Sequence, residues 1–217
     1  MSEQASERKN SAGRIITLVI LLSIAYAIVR YHMVGGVDWK DFPFFILNKG
    51  TSLAAFILLV CNFAFGPLNN LGINVPEGWL NARKALGMTG FLLVLVHVLM
   101  SFLLFSPKVY GKFFEADGTL TLLAGLSMLG GVLAFVILWG YNLSFQTHLR
   151  DDKAFIQFIT SRTFLLWAML LSAAHLIFMG YEGWLEPSGW HGGIPPVSLV
   201  AMSIFTIGYV INIFGRK

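Results

Sequence analysis

An apolar run close to bilayer length recurs six times in this chain, and that recurrence decides its fold class. A bilayer core offers no water to backbone N–H and C=O groups, so only helices and closed barrels cross it. Runs of about 20 apolar residues suit helices, whereas barrel strands need about half that length. The runs cover about Ile15–Val34, Thr51–Leu71, Arg83–Ser106, Leu120–Phe145, Arg162–Tyr181 and Val197–Phe214. Only 12% of the residues are charged, against about 25% in a soluble domain. The expected fold is an all-α membrane protein, a six-transmembrane-helix bundle.

The connectors are short and polar. Met1–Arg14 reads as a tail, and residues 15–217 as one membrane domain. Ala25-Tyr26-Ala27 resembles a signal-peptidase site, but the spans that follow argue for retention of the first one. Asp38, Lys40, Asp41 and Pro43 mark the first loop, and Asn69–Leu80 the second. Lys108–Asp117, His148–Lys153 and Glu182–Pro196 mark the others. None is long enough to fold alone. Gly125, Gly130, Gly131 and Gly140 mark close packing along the fourth span.

An even number of spans puts both termini on one side. Arg8, Lys9, Arg14, Arg83, Lys84, Arg150, Lys153, Arg162, Arg216 and Lys217 fall on that side. Arg30, Lys40, Lys49, Lys108 and Lys112 fall on the other. Positive residues are retained in the cytoplasm, so both termini are expected there, with a bacterial inner (plasma) membrane as the setting. The net charge of +4 is therefore topology and no sign of nucleic-acid binding. Cys61 is the single cysteine, which excludes an internal disulfide, a Cys-ligated iron–sulfur cluster and covalent haem attachment through C-x-x-C-H. No dinucleotide fingerprint or Walker motif is present, so the chain has no nicotinamide domain of its own.

The histidines carry the chemistry. Of His32, His97, His148, His175 and His191, only His97 and His175 lie deep within spans. A buried imidazole in a span needs a partner and marks a functional site. His97 is 14 residues past Arg83 and His175 is 13 past Arg162. At 1.5 Å per residue both sit roughly 20 Å along helices that run in the same direction, about two-thirds of a ~30 Å core. Two imidazoles at one depth suit axial ligation of one haem iron from opposite sides. Gly90 and Ala168, each two turns before its histidine, are expected to leave room beside it. Zinc is disfavoured, since a structural site takes four ligands. Each histidine could instead bond a carbonyl of a neighbouring helix. His32 reads as an interfacial residue, His148 as solvated and His191 as part of the outer loop. Trp184 and Trp190 read as interfacial anchors, with electron stepping-stones as the alternative.

Arg83, Lys84, Arg150, Lys153 and Arg162 gather at the cytoplasmic ends of spans three to five. They are either topology residues or an anion site for a flavin phosphate or a haem propionate.

These residues resemble the ferric reductase-like transmembrane domain superfamily. It includes the NADPH oxidases, the six-transmembrane metalloreductases and the haem-binding membrane subunit of periplasmic methionine-sulfoxide reductase. The resemblance covers all six spans. It rests on Arg83, Lys84, Leu86, Gly87, Phe91 and His97, on Phe158, Ile159, Ser161, His175 and Gly180, and on Pro195-Pro196. Two-haem members carry a second histidine nearer the cytoplasm on each ligand helix. Arg83 and Arg162 stand at the matching positions, which implies one haem b, with a flavin (FAD or FMN) in the inner half.

The expected function is transmembrane electron transfer, as an oxidoreductase or its electron-transfer subunit. A separate cytoplasmic reductase, a flavin carrier or a quinol would be the donor. Ferric iron or another metal, dioxygen or a periplasmic redox protein would be the outer-face acceptor. The surroundings are the lipid bilayer, and a homo-oligomer is compatible with the pattern. A quinol-oxidising cytochrome b subunit differs only in donor. The rival of another class is a non-redox transporter or assembly factor. Against it, no acidic residue falls within a span as bounded above.

Overall fold

The computed structural model describes residues 2–144 and 152–215, with side chains from Ser11 onward. The described residues are helical apart from loops and one isolated β-bridge, Phe114 to Leu120. Six helices are long and apolar enough to cross a membrane.

The first, α1 (Ser2–Ala27), continues through a π-helical turn, Ile28–Met33. A second π turn, Phe42–Ile46, leads without a break into α2 (Leu47–Asn70). Pro43 sits in the first turn of this segment, where its missing N–H leaves no bond unmade. The helix thus starts well before the expected Thr51. Likewise α3 (Glu77–Leu104) starts a turn and a half before Arg83. Then come α4 (Leu122–Leu143), the short α5 (Lys153–Ile159), α6 (Arg162–Trp184) and α7 (Val197–Phe214). Thr121 caps α4 and Ser161 caps α6 by accepting from Ala124 and Phe164 amides at 3.2 and 3.3 Å.

Helix α2 is the centre of the bundle and packs on α1, α3 and α7; α4 packs on α6, and α6 on α7. Small residues allow the close approaches. A Cβ on Gly50 would lie 2.9 Å from the Ile24 backbone, and one on Gly208 would lie 2.4 Å from a Val60 methyl. The contacts also fix direction. Early α2 meets late α3 through Asn48 and Ser101, and late α2 meets early α3 through Asn62 and Arg83. These two helices are therefore antiparallel. Val60 against Gly208 and Asn70 against Gly215 make α2 and α7 parallel. Gly180 against Ser198 and Arg162 against Asn212 make α6 and α7 antiparallel. It follows that α3 and α6 run the same way. They make little direct contact with each other and are held apart by α2, α4 and α7.

Candidate functional site

Helices α3 and α6 each bring one histidine to the half of the bundle remote from the start of α1 and the end of α7. His97 is about two turns from the end of α3, and His175 about two and a half turns from the end of α6. His97 feels the charge of His175, and both imidazoles feel that of Lys49, which places the three groups in one neighbourhood. Neither histidine is fully enclosed by protein.

Each ring is held by one nitrogen. His97 Nδ1 lies 2.6 Å from Asn48 Oδ1. The amide of Asn48, itself buried, is oriented by its other end, since Nδ2 donates to Ser101 Oγ at 3.1 Å. With the amide in this orientation its oxygen faces His97, and Nδ1 donates to it. His175 Nδ1 lies 2.9 Å from the carbonyl oxygen of Ser127 on α4, an obligate acceptor. Ser127 Oγ returns a bond to the His175 carbonyl at 3.0 Å. Both histidines are thus held in the tautomer whose Nε2 bears a lone pair. Neither Nε2 has a hydrogen-bond partner among the described residues. This is how a metal-ligating histidine is prepared: the second nitrogen donates to an oxygen, which sets ring orientation and raises ligand basicity.

Gly130 and Gly131 seat His175. A Cβ on Gly131 would lie 2.9 Å from His175 Nδ1, and one on Gly130 would lie 3.1 Å from the His175 amide nitrogen. Without side chains there, α4 closes on α6 and the Ser127 carbonyl reaches the ring.

The loop between α3 and α4 covers the remote end. Tyr110 packs on α2, with Lys49 Nζ 5.0 Å from its ring centre. Lys112 donates to the Met179 carbonyl, one turn beyond His175, at 2.8 Å. One loop therefore bridges the helix of Asn48 and the helix of His175.

The remaining site residues lie elsewhere. Gly90 faces α2, where a Cβ would lie 2.9 Å from Leu59 Cγ. Ala168 is buried in the apolar core with Leu59, Phe63, Phe91, Leu138 and Phe205, and it lines a small apolar cavity there. Arg83 Nε donates to the Asn62 carbonyl at 2.9 Å, and its guanidinium lies against Gly66. Arg162 donates to the Asn212 carbonyl at the end of α7. Lys84 is exposed. Arg150 and His148 lie outside the described residues. His32 Nδ1 bonds the Val37 carbonyl at 2.7 Å, and its ring packs on Trp39. His191 is exposed in the last loop. Trp184 and Trp190 donate to Ser198 Oγ and the Gly183 carbonyl, at 2.9 and 2.8 Å, which ties that loop to α6 and α7.

Sequence reasoning missed Asn48, Lys49 and Ser127. The signal available was the Asn48-Lys49 pair close to the apolar run, and a serine, Ser127, between Gly125 and Gly130 of the glycine-rich span.

The donor set fits a haem. Two imidazoles whose Nε2 atoms have no partner among the described residues, on helices that run the same way and make little direct contact, could both ligate a haem iron. Among the described residues no three His, Cys, Asp or Glu side chains converge. No family model matches the chain, and no curated protein matches it.

Proposed function

We propose that this protein carries electrons across a membrane through one b-type haem, which His97 and His175 would hold through their Nε2 atoms. The observation that carries this reading is the matched preparation of the two imidazoles: each has Nδ1 held by an oxygen, and each leaves Nε2 without a partner. When bound, the haem would supply a one-electron relay within the low-dielectric bundle.

The chain's own residues do the positioning. Asn48 and the Ser127 carbonyl hold the rings, the glycines of α4 admit the His175 ring, and the α3–α4 loop limits water at the remote end. In the other half of the bundle Leu59, Phe63, Phe91, Leu138, Met169 and Phe205 form an apolar core around a small cavity, with no second pair of imidazoles among the described residues, which supports a single haem. Electrons would enter from the side that carries the termini, the cytoplasmic side by charge bias, from a separate reductase, a flavin or a quinol. They would leave on the outer face to a metal, dioxygen or a periplasmic redox protein. The setting would be a bacterial inner membrane.

The purified protein, reduced with dithionite, should show b-type haem bands, and His97→Ala and His175→Ala should each remove them. Bands retained in both variants, or a colourless wild type after growth with ample haem precursor, would overturn the reading.

A further inference from the structure

Lys49 is a cation without an acid. It projects from α2 one residue past Asn48 and is partly buried beneath the α3–α4 loop. Its Nζ lies 5.0 Å from the ring centre of Tyr110 and 5.4 Å from that of Phe45. The polar groups beside it are the phenols of Tyr110, which hydrogen-bonds it, and Tyr31. The ion pair between described side chains is elsewhere, Lys40 with Asp38 on the surface. Glu182, the nearby acid, acts on Lys112 and is exposed. Lys112, exposed in the loop, adds a second positive charge beside Lys49, and Arg30 adds a third, buried one at the same end of the bundle. Arg30 is 5% exposed, donates to the Ile194 carbonyl, and leaves its Nε buried and unpartnered. A low-dielectric site with this much unbalanced positive charge is unfavourable by itself. It becomes favourable when an anion joins it. Lys49 also acts on both His97 and His175, so that anion would lie beside the histidine pair.

We infer that Lys49 is the seat of a carboxylate, and that the carboxylate is a propionate of the haem held between His97 and His175. This rests on the haem reading above and deepens it. It assigns the porphyrin a direction, with its acidic edge toward the remote end and the Tyr110–Lys112 loop. It also assigns the anion-binding role to a residue of α2, away from Arg83 and Arg162. A carboxylate on an external acceptor, such as a ferric citrate complex, has the same chemistry and is the competing source.

The test compares haem with haem dimethyl ester, in which both propionates are neutral. Full-length apoprotein in detergent, from haem-deficient cells, is titrated with each porphyrin and followed by the Soret band. Wild type should bind haem at least tenfold more tightly than the ester. Lys49→Met should bind both alike, near the wild-type affinity for the ester, and Lys49→Arg should recover the preference. The midpoint potential of the haem-loaded Lys49→Met protein should differ from wild type, while the ester-loaded pair should coincide. Equal preference in wild type and Lys49→Met would overturn the assignment. An unchanged haem preference with a raised KM for ferric citrate in Lys49→Met would give the site to the external carboxylate, and also overturns it. If wild type binds neither porphyrin, the haem reading itself falls and the proposal with it.

Discussion

Asn48 and His97 form a directed pair: the amide oxygen accepts from Nδ1 at 2.6 Å, while the amide nitrogen donates to Ser101. Three side chains on two antiparallel helices therefore set one proton. The pair also locates the working face of α3. Because His97 leans on α2 through its Nδ1, only its Nε2 edge is free to meet a ligand from the α6 side.

Asn48→Leu should loosen that ligand. The shape of the side chain is nearly kept, but the acceptor for Nδ1 is lost. Removal of such outer partners typically lowers metal affinity about 10–100-fold. Haem-to-protein ratio and haem titration of the apoprotein measure it. Ser101→Ala, whose oxygen is 3.4 Å from Nδ1, should fall well short of that loss. Equal effects of the two changes would mean that the amide does not set the ring.

On α4 the same logic predicts a contrast between glycines. Gly131→Ala places a methyl 2.9 Å from His175 Nδ1, and Gly125→Ala meets no atom within 4 Å. The first should displace the imidazole or open the α4–α6 contact, with an overpacking cost of about 1–3 kcal/mol and loss of haem. The second should change stability by less than about 1 kcal/mol. Thermal unfolding in detergent, followed together with the Soret band, separates the two. Loss of haem in Gly125→Ala with retention in Gly131→Ala would reverse the assignment.

Helix number and the two deep histidines were legible because apolar length and a buried imidazole are strong signals on their own. Gly130 and Gly131 were legible as close-packing residues, though not as the seat of His175. The partners were not legible. Leu47-Asn48-Lys49-Gly50 reads as a boundary in the sequence, ahead of the expected start at Thr51. A polar pair inside a helix is tolerated here because Asn48 finds His97 and Ser101, and Lys49 finds aromatic faces. Those contacts exist only after α2 and α3 pack. Gly90 shows a related limit. Two helical turns return a residue to the same face, but that face meets α2, so its space is taken by Leu59. Periodicity states which residues share a face and not what the face meets.

Arg162 should act as a helix-end tie. It starts α6 and donates to the carbonyls of Asn212 and Ile213, the latter at 3.5 Å, at the negative end of the α7 dipole. Arg162→Gln should lower stability by about 0.3–1 kcal/mol, while Arg162→Lys, which keeps the charge, should lose less. Denaturant unfolding in mixed micelles measures both. A loss of several kcal/mol with unchanged salt dependence would show that packing, and not the dipole, is at work.

Arg83 separates two roles that its position allows. Its Nε donates to the Asn62 carbonyl at 2.9 Å, and its guanidinium rests against Gly66, where any Cβ would lie 2.9 Å from Nη1. That arrangement ties α3 to α2 in the half of the bundle remote from His97. A hydrogen bond from a charged group contributes about 1.5–3 kcal/mol net, so Arg83→Met should destabilise by that order and leave the haem bands unchanged. Arg83→Lys should not rescue it, because an ammonium cannot reproduce the Nε contact of the guanidinium fork. The flavin expectation predicts a different pattern: flavin extracted from wild type, none from Arg83→Met, and equal thermal stability. Acid extraction with fluorescence, run beside thermal unfolding on the same preparations, decides between them. Unchanged stability with unchanged flavin content would remove Arg83 from both roles.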